Sequence, residues 1–483
     1  MVLKRPPVPL LVSALVASLA AIAAPASAAD DQISTAKDRK EVSISVYNGG
    51  FGLVREVREL ELPKGRVSLE FRDVASQIQS ETVSIKGATA DSLRIFEQNY
   101  RYDLLSPETL LAKYVGKSVK AYRWNPVLGR EDAFDAEVLS VNGYQPVLKI
   151  GGEITYGFNG RFGFPELPKN LIANPTLVWS LENSLPKQRI EATYMTYGLD
   201  WKADYVLVLD DADQKADLQG WVTLTNHSGA SYEDAKLQLV AGDVNRVRDA
   251  MSGEVDDYRE KDKAGGKKED ANAFREEGLF EYHLYTLGRP SSVLQNEQKQ
   301  VSLLEAKGIT VDKQLIFYGQ QYWYRSSYGE VMANQKVGVF LDVQNKEQNK
   351  LGMPLPKGVV RVYKADKAGQ KQFVGEDSID HTPRDEKLRV KLGDAFDVVG
   401  DRKQMSWKPF GSCTSESEWE ISLRNHKDTP VTVQDVEPIG GDWEVISSTL
   451  PHAKQDAFTF TFDVKIPAKG EAKVKYRVRV KWC

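Results

Sequence analysis

YMTYGLDWKADYVLVLDDADQKADLQGWVTLTNHSGASYEDAKLQLVAGDVNRV, residues Tyr194 to Val247, reads as strands and turns from end to end. Trp201, Ala203, Tyr205, Leu207 and Leu209 share one parity and Lys202, Asp204 and Asp210 the other, the period of a half-buried strand. The polar turn Asp210 to Asp217 follows, Leu218 to Asn226 returns as a second strand, and Ala235 to Val240 offers a third. The stretch therefore predicts three antiparallel strands that form without distant help. It holds no nucleophile, metal cluster or phosphate loop, so it speaks of architecture rather than chemistry.

The same grammar continues outward. Val42, Ile44 and Val46 alternate up to the turn Asn48-Gly49-Gly50, and Leu60 and Leu62 run into Pro63-Lys64-Gly65 before Val67, Leu69 and Phe71 alternate away. This strand, LPKG turn, strand unit recurs at Leu355 to Gly358 and, as Ile466 to Gly470, before Val474 to Trp482. Proline ends one strand because it cannot donate to a ladder, and glycine takes the positive φ of the reversal. A strand ending in asparagine recurs too, at Asn226, Asn345 and Asn425, where the left-handed conformation that asparagine tolerates suits a strand exit. The prediction is a mainly β chain of several sandwich or barrel modules in tandem. One short helix is expected near 107–115, with Ser106 as cap, Pro107 at its first position and Gly116 ending it. Ser118 to Phe164 then reads as short strands of a small SH3-like barrel. Glycines 151, 152, 157, 160 and 163 belong to its hairpins, since no helix start or GKS/GKT follows them.

The phrases YGLDWKADYVLVL, GWVTLTNHSG and AKLQLVAGDVNRV resemble the core signature of a bacterial family, domain of unknown function 4139. Leu355 to Gly358 (LPKG), Val374 to His381 (VGEDSIDH) and Lys391 to Gly400 (KLGDAFDVVG) look like its later segments, and Val46 to Glu56 (VYNGGFGLVRE) like its usual N-terminal partner region. The resemblance spans nearly all of the mature chain. Some relatives are described as mucoidy inhibitor A-like, which implies an envelope-polysaccharide setting; no catalytic residue comes with the resemblance.

Met1 to Ala28 carries Lys4 and Arg5, an apolar run from Leu10 to Ala24 and the triplet Ala26-Ser27-Ala28, the pattern of a secretory signal with an A-x-A cleavage site. The mature chain is expected in the periplasm or outside the cell, and no second apolar run of spanning length follows. With 64 basic against 68 acidic residues, nucleic acid is a poor partner. The remaining chain exceeds one core, and the divisions expected are 29–105, 106–168, a central β-sandwich region 169–410, and an immunoglobulin-like module 411–483. Cys413 and Cys483 both lie in the last of these and are expected to pair in an oxidising compartment. There Phe458 to Ile466 and Val474 to Trp482 alternate apolar with polar, and the bases Lys473, Lys475, Arg477, Arg479 and Lys481 face Glu416, Glu418 and Glu420 across the sheet.

Asp249 to Gly278 is charged and nearly free of aliphatic residues, a solvated loop inside the central region. Phe317 to Tyr328, FYGQQYWYRSSY, offers Tyr322, Trp323, Tyr324 and Arg325 as a stacking platform for sugar rings, against the plainer reading of a strand with Trp323 in a core. His283 with Glu281 in EYHLY is the best acid–base pair, although period 2 merely places both on one face. Asp210, Asp211, Asp213 and Asp217 lack an EF-type spacing and read as a polar turn. No cofactor or metal site is implied. The expected function is a non-catalytic binding or scaffold protein of the bacterial envelope, its partner an envelope glycan or another envelope protein. The competing reading is a hydrolase of envelope polysaccharide or peptide, whose two carboxylates need not be close in sequence.

Overall fold

The computed structural model describes residues 31–143, 145–168, 170–246, 274–329 and 331–483. The leader and most of the charged loop, 249–273, lie outside these. The end of that loop is corrected: Phe274–Leu279 is an edge strand on Tyr282–Leu287, with Phe274 buried and Arg275 and Glu277 turned outward. An edge strand tolerates such charges because one of its sides is unpaired.

Leu199–Leu209 and Lys215–Asn226 form the predicted hairpin in register from Leu199↔Asn226 to Leu209↔Ala216. Trp201, Ala203, Tyr205, Leu207 and Leu209 are all buried, as their parity requires. The third strand does not join them. Tyr232–Ala241 crosses to the opposite sheet, where it runs parallel to Arg39–Tyr47 and antiparallel to Tyr282–Leu287. Its inward side chains Leu237, Leu239 and Ala241 thereby pack toward the first pair, and Trp201 Nε1–H donates to the Val240 carbonyl at 3.3 Å. Alternation settles which face is buried, not which sheet a strand enters.

The opposite sheet has eight strands, from Phe274–Leu279 through Tyr232–Ala241, Arg39–Tyr47, Phe51–Glu61 and Lys187–Tyr197 to Ile78–Lys86. Its ladders Val46↔Leu239 and Arg55↔Thr193 join residues on both sides of the divisions drawn at 105 and 169. One continuous core therefore extends from Val42 to Val390. Glu56 and Arg58 sit inside it as a fully buried pair, with Arg58 over the Phe71 ring at 3.5 Å and the Tyr194 hydroxyl donating to Glu56 at 2.9 Å.

The segment after Pro107–Ala112, a helix capped by Ser106 as predicted, makes an open five-stranded sheet rather than a closed barrel. Its edge strands Glu153–Thr155 and Arg161–Gly163 have three residues each and do not pair with one another. Phe158, Phe162 and Phe164 cover the small core instead.

Two unusually long strands, Glu297–Tyr318 and Lys387–Phe410, run out of the large core into the C-terminal one. There Val398–Phe410, Thr414–Asn425, Gly470–Lys481 and Asp442–Ser448 form one layer. Val431–Pro438, Thr459–Ile466 and His452–Asp456 form the facing layer. Phe460 and Phe462 meet Tyr476 between them at 5.5 and 5.4 Å. The anticipated charge rows do meet, Lys475–Glu420 at 2.8 Å, Arg477–Glu418 at 3.0 Å and Arg479–Glu416 at 2.5 Å. Cys413 and Cys483 are bonded, with Cα atoms 5.7 Å apart and 70 residues between them in sequence. Cys413→Ser is expected to lower the stability of this module by up to about 4 kcal/mol through lost loop-closure entropy, measured by denaturant unfolding beside the reduced native chain.

The strand-end asparagines do a different job from the one expected. None of Asn226, Asn345 or Asn425 has a positive φ. Each is buried and uses its amide to hold the turn that opens its partner strand. Asn425 donates to the carbonyls of Thr429 and Pro467 at 2.8 and 3.0 Å, and Asn345 to those of Met353 and Pro383 at 2.8 and 2.9 Å. Asn226 holds Ala230 and Val293 in the same way. Asn183 holds Leu62, Pro63 and Leu185. The positive φ belongs to the turn itself, at Gly65, Asn296, Asp385 and Lys469. The LPKG and strand-end Asn recurrences are thus two halves of one device at Asn183 with Pro63 and at Asn425 with Pro467.

Candidate functional site

Three of the stretches singled out in the sequence come together at one end of the central sandwich. Asp243 follows Tyr232–Ala241 in one sheet; Lys357 and His381 flank Gly358–Ala365 and Lys371–Ile379 in the other. Lys357 Nζ meets Asp243 Oδ1 at 3.0 Å, and the Lys357 backbone N–H donates to His381 Nδ1 at 3.2 Å. The loop before Lys357 is stitched down by the hydroxyls of Tyr285 on Pro354 O, 3.0 Å, and Tyr205 on Pro356 O, 2.8 Å. Leu355 and Thr382 exchange both backbone hydrogen bonds beside it.

Because His381 Nδ1 accepts, its proton sits on Nε2, which is shut off from solvent and meets no hydrogen-bond partner. Burial first, and then the Lys357 cation, push the imidazole below its usual value; the Lys357 ammonium likewise holds Asp243 below the ordinary carboxylate range. A depressed histidine pKa contributes stability above the unfolded-state value of about 6.5, and that contribution is lost as pH falls through the folded value. His381 is therefore expected to titrate below about 6.5 in a ring-proton NMR titration. His381→Asn keeps an acceptor for Lys357 N–H and should flatten the acid side of the thermal stability profile. A His381 midpoint at or above the ordinary value refutes this account.

His283 does not pair with Glu281. Glu281 lies in the exposed turn after Phe280, whose φ is 59°, and the His283 partner is Glu276, Nδ1 to Oε1 2.8 Å. The reason is the hairpin register: Glu276 stands opposite Tyr285, diagonal to His283 on the same face. His227 Nδ1 is tied to Asn296 Oδ1 at 3.1 Å, and His452 packs edge-on against Phe460 and Phe462.

The stacking platform expected of Tyr322, Trp323, Tyr324 and Arg325 is taken apart by the fold. Gln321–Arg325 is a 3-10 turn rather than a strand, and Trp323 and Tyr324 are 4% and 1% exposed, inside the C-terminal core. They are drawn in by a buried charge: Arg402 lies over the Trp323 ring at 4.8 Å, and the Tyr324 hydroxyl donates to Glu437 at 2.7 Å. Tyr322 alone is exposed, at 54%, and Arg325 lies over Trp482 at 4.7 Å.

The two main concavities lie elsewhere. One of about 310 Å³ sits where the two cores join, with an apolar floor of Val339, Leu341 and Leu392 and a rim of Lys313, Lys364 and Asp213. Asp213, from the polar turn, is held by both lysines at 2.6 and 2.5 Å and below its usual range despite partial burial. The other, of about 450 Å³, is lined by Lys37, Arg39, Asp73, Asn174 and Glu233 among others. Among the described residues no three His, Cys, Asp or Glu side chains are grouped as metal ligands. No helix there is long and apolar enough to cross a membrane. No protein-family model matches the chain, and no curated protein does.

Asp243, Lys357 and the unusual tautomer of His381 were not legible as a cluster. The only signal was that each lies inside a phrase that carries the family resemblance.

Proposed function

We propose that this is a secreted, multi-domain β protein of the bacterial envelope acting as a non-catalytic binding or scaffold protein, its partner an envelope glycan or another envelope protein. The observation that carries the reading is the use made of the chemistry-bearing side chains at the convergent site. Asp243 is paired with Lys357, Glu276 with His283, and His381 takes the Lys357 N–H, so each secures one strand end to another. General acid–base work needs such a group within reach of a substrate proton, and these are engaged with the fold. The Cys413–Cys483 bond suits an oxidising compartment. The exposed faces that remain, such as the edge strand His452–Asp456 and the outward Phe373 of the edge strand Lys371–Ile379, fit recognition by strand addition or surface contact.

The test is incubation of the mature chain with fractionated envelope polysaccharide, peptidoglycan and envelope proteins, scoring both retention and the size of what is retained. Retention of an unaltered ligand supports the proposal. Shortened chains or new reducing ends overturn it in favour of a hydrolase, and no retention of any fraction overturns it outright.

A further inference from the structure

The hairpin made by Ser118–Asn125 and Arg130–Ser140 ends in an apolar tip that stands clear of the rest of the described chain: Val127 is 90% exposed, Trp124 60% and Leu128 57%. Both chain connections of this small module lie at its other end. Val115 bridges to Val138, and the outgoing strand Arg161–Gly163 runs back along Tyr122 to Lys120, bringing Glu166 to the Tyr114 hydroxyl. The tip is therefore the distal end of the module.

Its backbone donors are satisfied from within. Pro126 has no N–H; Val127 and Leu128 donate to Asn125 Oδ1 at 3.1 and 3.2 Å, and Gly129 to the Asn125 carbonyl at 2.9 Å. Asn125 is fixed in turn by its amide on Asp132, 2.7 Å. An exposed turn in water has no need of this, whereas a turn entering an apolar medium does, because an unsatisfied N–H there costs several kilocalories per mole. A pocket on a protein partner would offer acceptors to those amides, and a bilayer would not. The flanks are Arg123 and Arg130, both exposed, and the indole of Trp124 has the amphipathic character favoured at a membrane–water interface.

We propose that the tip Trp124–Arg130 docks at the headgroup–acyl boundary of a bilayer bearing anionic headgroups, with Val127 and Leu128 inserted, Trp124 at the boundary and Arg123 and Arg130 on the phosphates. This goes beyond the binding or scaffold reading and does not rest on it. A tip of this size is a reversible contact that orients the molecule on a surface.

The test is co-sedimentation of the full mature chain with extruded vesicles of phosphatidylglycerol and phosphatidylethanolamine, and with phosphatidylethanolamine-free zwitterionic vesicles, at low and physiological salt. The native chain should partition onto the anionic vesicles, and Val127→Ser with Leu128→Ser should reduce that partition by at least about tenfold without a change in Tm, because both side chains are in solvent. Arg123→Gln with Arg130→Gln should remove the preference for anionic lipid. Absence of partition by the native chain, or equal partition by the serine variant, overturns the proposal. Loss of a captured envelope protein in the serine variant, with no vesicle binding by the native chain, overturns it in favour of a protein partner. Retention of glycan or protein fractions through other surfaces should be unchanged in the serine variant, which separates failure here from failure of the scaffold reading.

Discussion

Replacing Arg402 by methionine is expected to cost the C-terminal module about 3–5 kcal/mol, the size of effect seen when one partner of a buried charge pair is removed. Arg402, Asp435 and Glu437 are fully buried, with Arg402 bonded to Glu437 and, at 3.2 Å, to Asp435. Tyr324 and Tyr476 close the cluster, their hydroxyls 2.9 Å apart. Without the guanidinium, two carboxyl groups face each other out of water, and Trp323 and Phe317 lose the cation that lies over their rings. Denaturant unfolding should show the loss. A variant within about 1 kcal/mol of native would mean that the cluster is neutralised by protonation and contributes little.

The same cluster has a pH signature. Burial, and next the charge of Glu437, push the Asp435 carboxyl well above its ordinary range, with Arg402 opposing. A raised folded-state pKa contributes stability that is present below the unfolded value of about 3.9 and is lost as pH rises toward the folded value. Asp435→Asn, shaped like the protonated acid, should therefore be mild at low pH and become increasingly favourable relative to native as pH rises.

Periodicity made much of the fold readable. Phe460, Phe462, Val464 and Ile466, and then Val474, Tyr476, Val478 and Val480, are buried as their alternation requires. The facing glutamates are legible because cross-strand partners of opposite charge fall into register once the two strands are placed. What was not legible is long-range choice. Nothing in Tyr232–Ala241 says that it runs parallel to Arg39–Tyr47, a pairing across nearly the whole N-terminal half of the chain. Trp323 and Tyr324 looked like a surface platform because aromatic residues with polar tips suit either a rim or a core. Only the distant Arg402 and Glu437 decide for the core. The candidate site suffers the same way, since Asp243, Lys357 and His381 are joined by strand ends that only the completed sandwich brings together.

Asn345→Ala is expected to cost about 2–4 kcal/mol, well beyond the net worth of an ordinary side-chain hydrogen bond. The Asn345 side chain is fully buried; its amide bonds the Met353 and Pro383 carbonyls, and its Oδ1 takes the Gly352 N–H at 3.0 Å. Alanine leaves those backbone groups without partners where water does not easily reach, so the penalty is desolvation rather than the bond alone. Asn349 supplies the control. It makes a comparable set of bonds, to the Thr310 N–H at 2.6 Å and to the Thr310 and Gln344 carbonyls at 3.1 and 3.0 Å, but at a solvent-exposed position. Asn349→Ala should cost less than about 1 kcal/mol, because water replaces the lost side chain. Asn345→Asp should be at least as damaging as alanine, since a carboxylate cannot donate to the two carbonyls and brings a buried charge. Equal losses at 345 and 349 in thermal or denaturant unfolding would show that bond count and not burial sets the strength of the device. The contrast also carries to Asn425, whose bonds to Thr429 and Pro467 tie the last hairpin in the same way, so that Asn425→Ala should fall with Asn345→Ala and not with Asn349→Ala.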